Sequence, residues 1–168
     1  MQKVDAIDLA RSGGQLQGEL PLSGMRRLTE GQPGQRDAVA SWHLQGTSDI
    51  LGRHFLALDV EAAPWVVCQR CLRPFAYPLS AHGRFVLTTD DASLEADEAD
   101  DDAPEPLQAT TRLDVAALVE DELILALPYA PRHQVCPAED GEAAPSARRE
   151  SPFAALAGWK PGGGGQDV

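Results

Sequence analysis

The sequence has few aromatic residues, few cysteines and no long apolar run. Its uncharged apolar stretches are far shorter than the about 20 residues that a membrane-spanning helix requires, so no such helix is predicted. Acidic residues interrupt the N-terminal stretch MQKVDAIDLARSGG, which is therefore not expected to be a signal peptide. Three cysteines, an odd number, argue against the disulfide framework of a secreted protein. These absences favour a cytoplasmic protein in a reducing compartment.

Most of the negative charge lies in one stretch of the chain. The 168 residues carry a net charge of −12, but residues 90–105, DDASLEADEADDDAPE, contain nine acids and no base. Without these nine charges the rest of the chain would carry −3 and would be nearly balanced. We predict that this stretch is a solvated, disordered linker; the alternative is a mimic of nucleic acid that attracts a basic partner.

Alternating apolar and polar residues predict an antiparallel sheet before the acidic stretch. RDAVASWHLQG (36–46) has the pattern of a half-buried strand. HFLALDV (54–60) and APWVVC (63–68) predict two more strands, close enough for a hairpin-like connection. FAYPLSAHGRFVLTTD (75–90) predicts a fourth. We therefore expect about four strands, with a cysteine-containing loop at one end of their sheet.

One long helix is predicted after the acidic stretch, over residues 114–127. Asp114 can cap its N-terminus, and Pro128 ends it. Five apolar residues share one side of this helix, which we expect to pack on the sheet. They are Ala116, Val119, Leu123, Ala126 and Leu127.

Two short motifs together offer the ligands of a metal site. VVCQRCLRPF (66–75) contains Cys68 and Cys71, whose spacing lets two thiolates reach one metal ion from a tight turn. HQVC, just after the predicted helix, adds His133 and Cys136 and completes a Cys3His set suited to zinc. The alternatives are free thiols without metal, or a redox pair. The redox alternative is weak, because strands flank the motif where a thioredoxin-like motif requires a helix.

Arginines lie beside both cysteine motifs. Arg70 and Arg73 flank the second cysteine, and Arg132 precedes the histidine. If the motifs converge, these arginines form a positive patch that can contact the phosphates of RNA. The alternative is ion pairing with an acidic band in the predicted helix, which could itself contact a partner. That band consists of Glu120, Asp121 and Glu122.

Catalysis is not predicted, because the sequence shows no nucleophile–base pair and no glycine-rich phosphate loop at a strand–helix junction. For Glu120, an ion pair with an arginine of the sheet is expected rather than a catalytic role.

Three motifs in order carry a resemblance to a known family: CQRCLRPF (68–75), LVEDELILALPYAPRHQVC (118–136) and SPFAALAGWK (151–160). Together with the opening MQKVDAIDLA, they resemble the bacterial YceD family of large ribosomal RNA subunit accumulation proteins, over roughly residues 1–160. The resemblance implies a role in the synthesis, processing or stability of 23S rRNA, and hence in assembly of the large ribosomal subunit. It supplies no active-site residues.

The predicted fold is α+β, with a mainly antiparallel sheet, one packing helix, an acidic linker and a short C-terminal helix. We expect a single domain over residues 1–136 that contains the acidic linker 90–105. A flexible tail, 137–168, follows and carries a short amphipathic segment at 152–160.

Two mechanisms are open for a non-enzymatic, cytoplasmic factor of this kind. In the first, the cysteine–arginine end contacts 23S rRNA or its precursor directly. In the second, a zinc-binding or chaperone-like adaptor uses its acidic linker and helix to bind a basic ribosomal protein without contacting RNA. The nearly balanced body and the acidic linker slightly favour the second. No membrane and no small-molecule substrate are predicted as partners.

Overall fold

The structure, a computed structural model, describes residues 3–89 and 103–137. The elements found there all belong to one compact unit, Met1–Cys136. In chain order they are β1 (Lys3–Val4), α1 (Ala6–Ser12), β2 (Gln15–Pro21), a 3-10 turn (Leu22–Gly24), α2 (Arg26–Thr29), β3 (Val39–Ser48), β4 (His54–Ala62), β5 (Trp65–Val67), β6 (Pro74–Ala76), β7 (Leu79–Thr88), β8 (Glu105–Gln108), β9 (Leu113–Asp114) and α3 (Val115–Ala126). None of the described helices is long and apolar enough to cross a membrane.

A five-stranded sheet with the order β2-β3-β4-β7-β8 forms the centre of this unit. Its neighbours are antiparallel, except for β7 and β8, which run parallel. Alternate residues of β3, namely Ala40, Trp42 and Leu44, are buried on one face. This alternation confirms the predicted half-buried strand, and the α+β fold with a mainly antiparallel sheet is confirmed with it.

Two helices cover the buried face of the sheet. Gly46 of β3 lies so close to α1 that an added Cβ would come within 2.7 Å of the Cα of Ala10. Gly83 of β7 faces α3, where an added Cβ would lie 2.9 Å from the carboxyl carbon of Glu122. Both glycines thus permit close contact between sheet and helix. The prediction of one packing helix was incomplete, because α1 packs on the sheet beside α3.

The predicted strand pairing near the cysteines was wrong. Residues 63–68 contribute β5, which pairs with β6 in a separate two-stranded sheet rather than with β4. Residues 74–88 form two strands, β6 and β7, where the sequence predicted one strand over 75–90. Pro78 lies between them, and a proline has no N–H for the hydrogen-bond ladder of a sheet. The cysteine loop therefore lies at the tip of its own hairpin and not at one end of the main sheet.

Helix α3 begins as predicted, but a different side of it is buried. The side chain of Asp114 accepts hydrogen bonds from the N–H groups of Ala116 and Ala117, which confirms the predicted cap. Only two of the five predicted stripe residues, Val119 and Leu123, are fully buried. The buried side is completed by Val115, Leu118 and Glu122. Apolar residues occur on most sides of this helix, so periodicity alone did not identify the inner one.

Two predicted segments lie wholly or mainly outside the described residues. Residues 90–102 of the acidic stretch are outside, while its last residue, Glu105, begins β8 and pairs with Phe85. The predicted linker therefore extended too far at its C-terminal end. The amphipathic segment 152–160 also lies outside the described residues.

Candidate metal centre

The hairpin β5–β6 presents the first two cysteines on a tight turn. Cys68 directly follows β5, and its backbone N–H donates to the carbonyl of Arg73 at 3.0 Å. The N–H of Leu72 donates back to the carbonyl of Cys68 at 2.9 Å. Leu72 has a φ of 59°, in the left-handed region that non-glycine residues rarely adopt. Such a conformation persists where the surrounding structure imposes it, as in a loop shaped around a site.

The segment after α3 brings the second pair of ligands to this turn. Pro128 follows the helix, and the chain continues without regular secondary structure to Cys136. The N–H of Gln69 donates to the carbonyl of Pro131 at 2.9 Å, which joins the segment to the hairpin. The N–H of His133 donates to the Sγ of Cys68 at 3.4 Å. The two motifs, 61 residues apart in the sequence, therefore meet in space.

Four potential ligand atoms form one cluster at this meeting point. The ligand atoms of Cys68, Cys71, His133 and Cys136 all lie within 4.8 Å of one another. The Sγ atoms of Cys68 and Cys136 are 3.8 Å apart, and the Sγ of Cys71 lies 3.4 Å from Nδ1 of His133. Usual zinc bond lengths place two sulfurs about 3.8 Å apart, and a sulfur and a nitrogen about 3.5 Å apart, in a tetrahedral site. The donor types and these two distances therefore suit a zinc ion.

The histidine of the cluster is held in place by an aromatic ring. Phe75 of β6 stacks on the imidazole of His133, with ring centroids 4.2 Å apart and planes inclined by 28°. This contact limits rotation of the imidazole and keeps Nδ1 directed toward Cys71. The sequence pattern did not identify Phe75 as part of the site, although it ends the CQRCLRPF motif.

Arg70 connects the two halves of the cluster. Its Nε donates to the Sγ of Cys136 at 3.0 Å, and one terminal nitrogen donates to the carbonyl of His133 at 3.1 Å. The hydrogen bond with Cys136 is the largest of the contributions that raise the pKa of Arg70. Three thiolates and one imidazole around a divalent zinc leave about one net negative charge, which this guanidinium offsets.

Burial and hydrogen bonds have opposite effects on the pKa of Cys68. Its thiol is fully buried, and burial disfavours the thiolate. Backbone N–H groups of Cys71, His133 and Arg70 outweigh this effect and lower the pKa of Cys68 to about 5. A stabilised thiolate is the form that binds zinc.

The pKa of the second cysteine, Cys71, is shifted in the opposite direction. The backbone N–H of Arg73 lowers the pKa of Cys71, but burial and the neighbouring sulfurs of Cys136 and Cys68 outweigh it, and the net change is upward. Neighbouring sulfurs that cannot all ionise together are the expected environment of a cation site, because a bound cation relieves the repulsion between thiolates.

The lobe that carries the cluster contains basic residues and no acids. We call residues 63–78 and 128–136 the cysteine lobe; together they include Arg70, Arg73 and Arg132 and not one Asp or Glu. Arg132 is exposed, and among the described residues it forms no hydrogen bond or ion pair. The two cysteine motifs therefore bring all three predicted arginines into one lobe of the molecule.

The predicted acidic band faces another part of the protein. Glu120 accepts from the backbone N–H of Arg27 at 2.7 Å, and Asp121 accepts from the guanidinium of Arg27 at 2.5 Å. Glu122 is buried against Gly83. The partner of Glu120 is therefore an arginine of α2, whereas the sequence predicted an arginine of the sheet. No sequence pattern had identified Arg27.

Gln35 is a second contact that the sequence did not reveal. Its side chain accepts from the N–H of Trp65 at 2.9 Å and donates to the carbonyl of Trp65 at 3.0 Å. Gln35 is buried, and the guanidinium of Arg36 lies 4.5 Å from the centre of the Trp65 ring. These contacts anchor β5, and with it the cysteine turn, to the loop before β3.

The fold and the cluster together define a small α+β protein with a candidate Cys3His centre, formed between a separate hairpin and the segment after α3. A family model described as the large ribosomal RNA subunit accumulation protein YceD matches residues 56–160. This chain belongs to the YceD family. The match includes both halves of the cluster and α3, but it begins within β4, later than the resemblance over residues 1–160 implied. No solved structure matches the chain.

The family description names an effect on ribosomal RNA and no catalysed reaction. A part in the accumulation of large-subunit ribosomal RNA is therefore the functional statement that family membership supports.

Proposed function

We propose that this protein is a non-enzymatic, cytoplasmic factor that supports 23S rRNA accumulation, and that its cysteine lobe contacts the RNA directly. One observation carries the proposal: the Cys3His cluster joins two distant motifs into a lobe with three arginines and no acid, in a chain whose net charge is −12. A local basic surface of this kind can bind RNA phosphates without a globally positive protein.

Zinc would have a structural role in this lobe. Cys68, Cys71, His133 and Cys136 would hold it, and its chemistry there would be to cross-link the hairpin to the segment after α3. With three thiolates and a divalent ion, the lobe would keep about two net positive charges from its arginines.

The contacts of the acidic band favour direct RNA contact over the adaptor mechanism. An adaptor would need free acids on α3 to bind a basic ribosomal protein. Glu120 and Asp121 are bonded to Arg27, and Glu122 is buried. The adaptor mechanism then depends on the acidic stretch 90–105 alone.

Binding of the purified, zinc-loaded protein to 23S rRNA fragments tests the proposal. We expect Arg132→Ala to weaken binding and to reduce its salt dependence, because one phosphate contact is lost. Arg112→Ala is the matched control, since Arg112 is also exposed but lies outside the cysteine lobe. Arg70→Ala is unsuitable, because Arg70 also holds the cluster together.

Two results would contradict the proposal. The first is unchanged RNA binding by the Arg132→Ala variant. The second is a pair of observations: the wild type binds no 23S rRNA, and a variant lacking residues 90–102 no longer binds a ribosomal protein that the wild type binds. Together they would establish the adaptor mechanism.

A further inference from the structure

A groove opens on the cysteine lobe beside the metal cluster. Strand β6 and the residues after it form one wall, and the segment around His133 forms the other. Its volume is about 530 Å³, within the range of small-molecule and nucleotide sites. The lining includes Phe75, Tyr77, Pro78, Arg132, Gln134 and Val135.

The first wall of the groove presents flat apolar surface. Phe75 and Tyr77 meet edge to face, with centroids 6.0 Å apart and planes at 81°. Phe75 is covered on one side by His133, whereas Tyr77 is half-buried. Val135, on the opposite wall, is 84% exposed. An aromatic ring that is partly open to solvent in a groove is suited to stacking on a nucleobase.

The second wall adds a cation and a polar side chain. Arg132 lines the groove and has no partner among the described residues. Gln134 beside it is exposed and carries both a donor and an acceptor. No acid occurs in the cysteine lobe, so nothing within the lobe competes with phosphate for this arginine.

We propose that this groove binds single-stranded RNA, with one base against Tyr77 and a backbone phosphate on Arg132. This inference rests on the proposed function and specifies which form of RNA is bound. Duplex RNA does not fit the chemistry, because its bases are stacked on each other and cannot reach the ring of Tyr77. A basic ribosomal protein is disfavoured by the positive charge of the lobe.

The groove and the Cys3His cluster share His133 and the segment around it. Arg132 and Gln134 are the direct neighbours of His133, so the ligand and this wall of the groove belong to one short segment. Loss of the metal is therefore expected to displace this wall and to weaken RNA binding, even though no ligand residue needs to contact the RNA.

Fluorescence anisotropy with the zinc-loaded full-length protein tests the inference. The probes are an oligouridine of about ten nucleotides and an RNA duplex of the same length. We expect the single strand to bind more tightly than the duplex. Tyr77→Ala should weaken single-strand binding by about 5- to 150-fold, the range for one base–aromatic stack. Arg132→Ala should lower the slope of log affinity against log salt by about 0.7.

Matched variants separate stacking from folding. Tyr77→Phe keeps the ring and should bind like the wild type, whereas Tyr77→Leu keeps apolar bulk without a ring and should bind weakly. Tyr129→Ala removes a fully exposed tyrosine that does not line the groove, and should have no effect. Zinc content and thermal unfolding of each variant show whether the lobe is intact.

The possible failures are distinguishable. If 23S rRNA binds but the oligouridine does not, or if Tyr77→Leu binds the oligouridine like the wild type, the groove inference is wrong and the proposed function stands. If the Tyr77 and Arg132 variants still bind RNA but no longer bind a ribosomal protein that the wild type binds, the groove is a protein-binding site. If no RNA of any kind binds, both proposals fail.

Discussion

Arg70 shows how the surroundings of a single side chain change its expected role. Beside Cys71 in the sequence, it was as suitable for RNA phosphate as Arg73 or Arg132. In the structure its guanidinium bonds to Cys136 and to the backbone of His133. Residues that orient metal ligands often affect metal affinity almost as much as the ligands themselves. Arg70 is therefore a positioning residue of the cluster, whereas Arg132 is exposed and forms no hydrogen bond or ion pair among the described residues.

Glu122 is a buried carboxyl group whose ionisation should destabilise the fold. Burial is the main cause of its raised pKa, and the nearby charges of Glu105 and Asp121 add to it. Because the pKa is higher in the folded than in the unfolded state, the folded state binds more protons between the two values. The free energy of unfolding should then fall as pH rises from the ordinary value of 4.5 through the raised value.

Glu122→Gln tests this prediction. The variant should be more stable than the wild type at neutral pH, and the difference should vanish below the ordinary glutamate value, where the wild-type carboxyl is neutral in both states. Urea unfolding over a series of pH values measures it. Glu120→Gln is the contrasting variant, since Glu120 is bonded to Arg27 and should not gain stability from neutralisation. A constant difference between Glu122→Gln and wild type at all pH values would contradict the explanation.

The contact between α1 and β3 depends on one position in the strand. At Gly46 an added Cβ would overlap the backbone of α1, which cannot move aside as a flexible side chain could. We expect Gly46→Ala to lower the free energy of unfolding by about 1–3 kcal/mol, the usual cost of overpacking. Gly34→Ala is the control, because a Cβ there meets nothing within 4 Å and no left-handed φ is involved. Equal stability of the two variants in urea unfolding would show that α1 is not held this closely.

The short elements around the cysteines illustrate why their pairing was mispredicted. Residues 63–68 follow β4 closely enough for a hairpin, yet β5 leaves the main sheet and pairs with β6. Contacts made elsewhere hold β5 in this position, among them the hydrogen bonds between Gln35 and Trp65. These partners are 30 residues apart, so a local pattern carries no information about them.

The described residues form a hydrophobic core and the cysteine lobe, which have different sources of stability. The hydrophobic core comprises residues of the main sheet and of the elements packed on it, and it includes neither Val66 nor Cys68, which are buried in the lobe. The lobe instead holds together through the β5–β6 ladder, a few hydrogen bonds and the cluster. Structural zinc contributes directly to folding free energy where little apolar surface is buried.

Metal removal should therefore loosen the lobe and leave the core folded. After chelation, we expect faster hydrogen exchange at the amides of Gln69 and His133, whose hydrogen bonds join the two halves. Amides of Leu44 and Leu58 in the central strands should exchange as slowly as before. The Cys136→Ser variant, which lacks one residue of the cluster, should show the same faster exchange without a chelator. Two results would contradict this division of stability. One is global unfolding on chelation, and the other is unchanged exchange at the amides of Gln69 and His133.

The sequence by itself determined the local features of this protein. Alternation marked β3 and β4, the pair Asp114 and Pro128 bounded the helix, and the residue types of the two cysteine motifs named four candidate metal ligands. Each of these is a short-range signal, because hydrogen bonding and ligand spacing within a few residues produce it.

Only the tertiary structure decided which distant groups meet. It brings Cys68 and Cys71 to His133 and Cys136 across the 61-residue gap, assigns Arg70 to the cluster, and ties the acids of α3 to Arg27. It also determines which side of α3 is buried. That side includes Glu122, which the predicted apolar stripe did not contain. These outcomes follow from packing between separate elements, and packing depends on the shapes of all partners at once, which no single stretch of sequence contains.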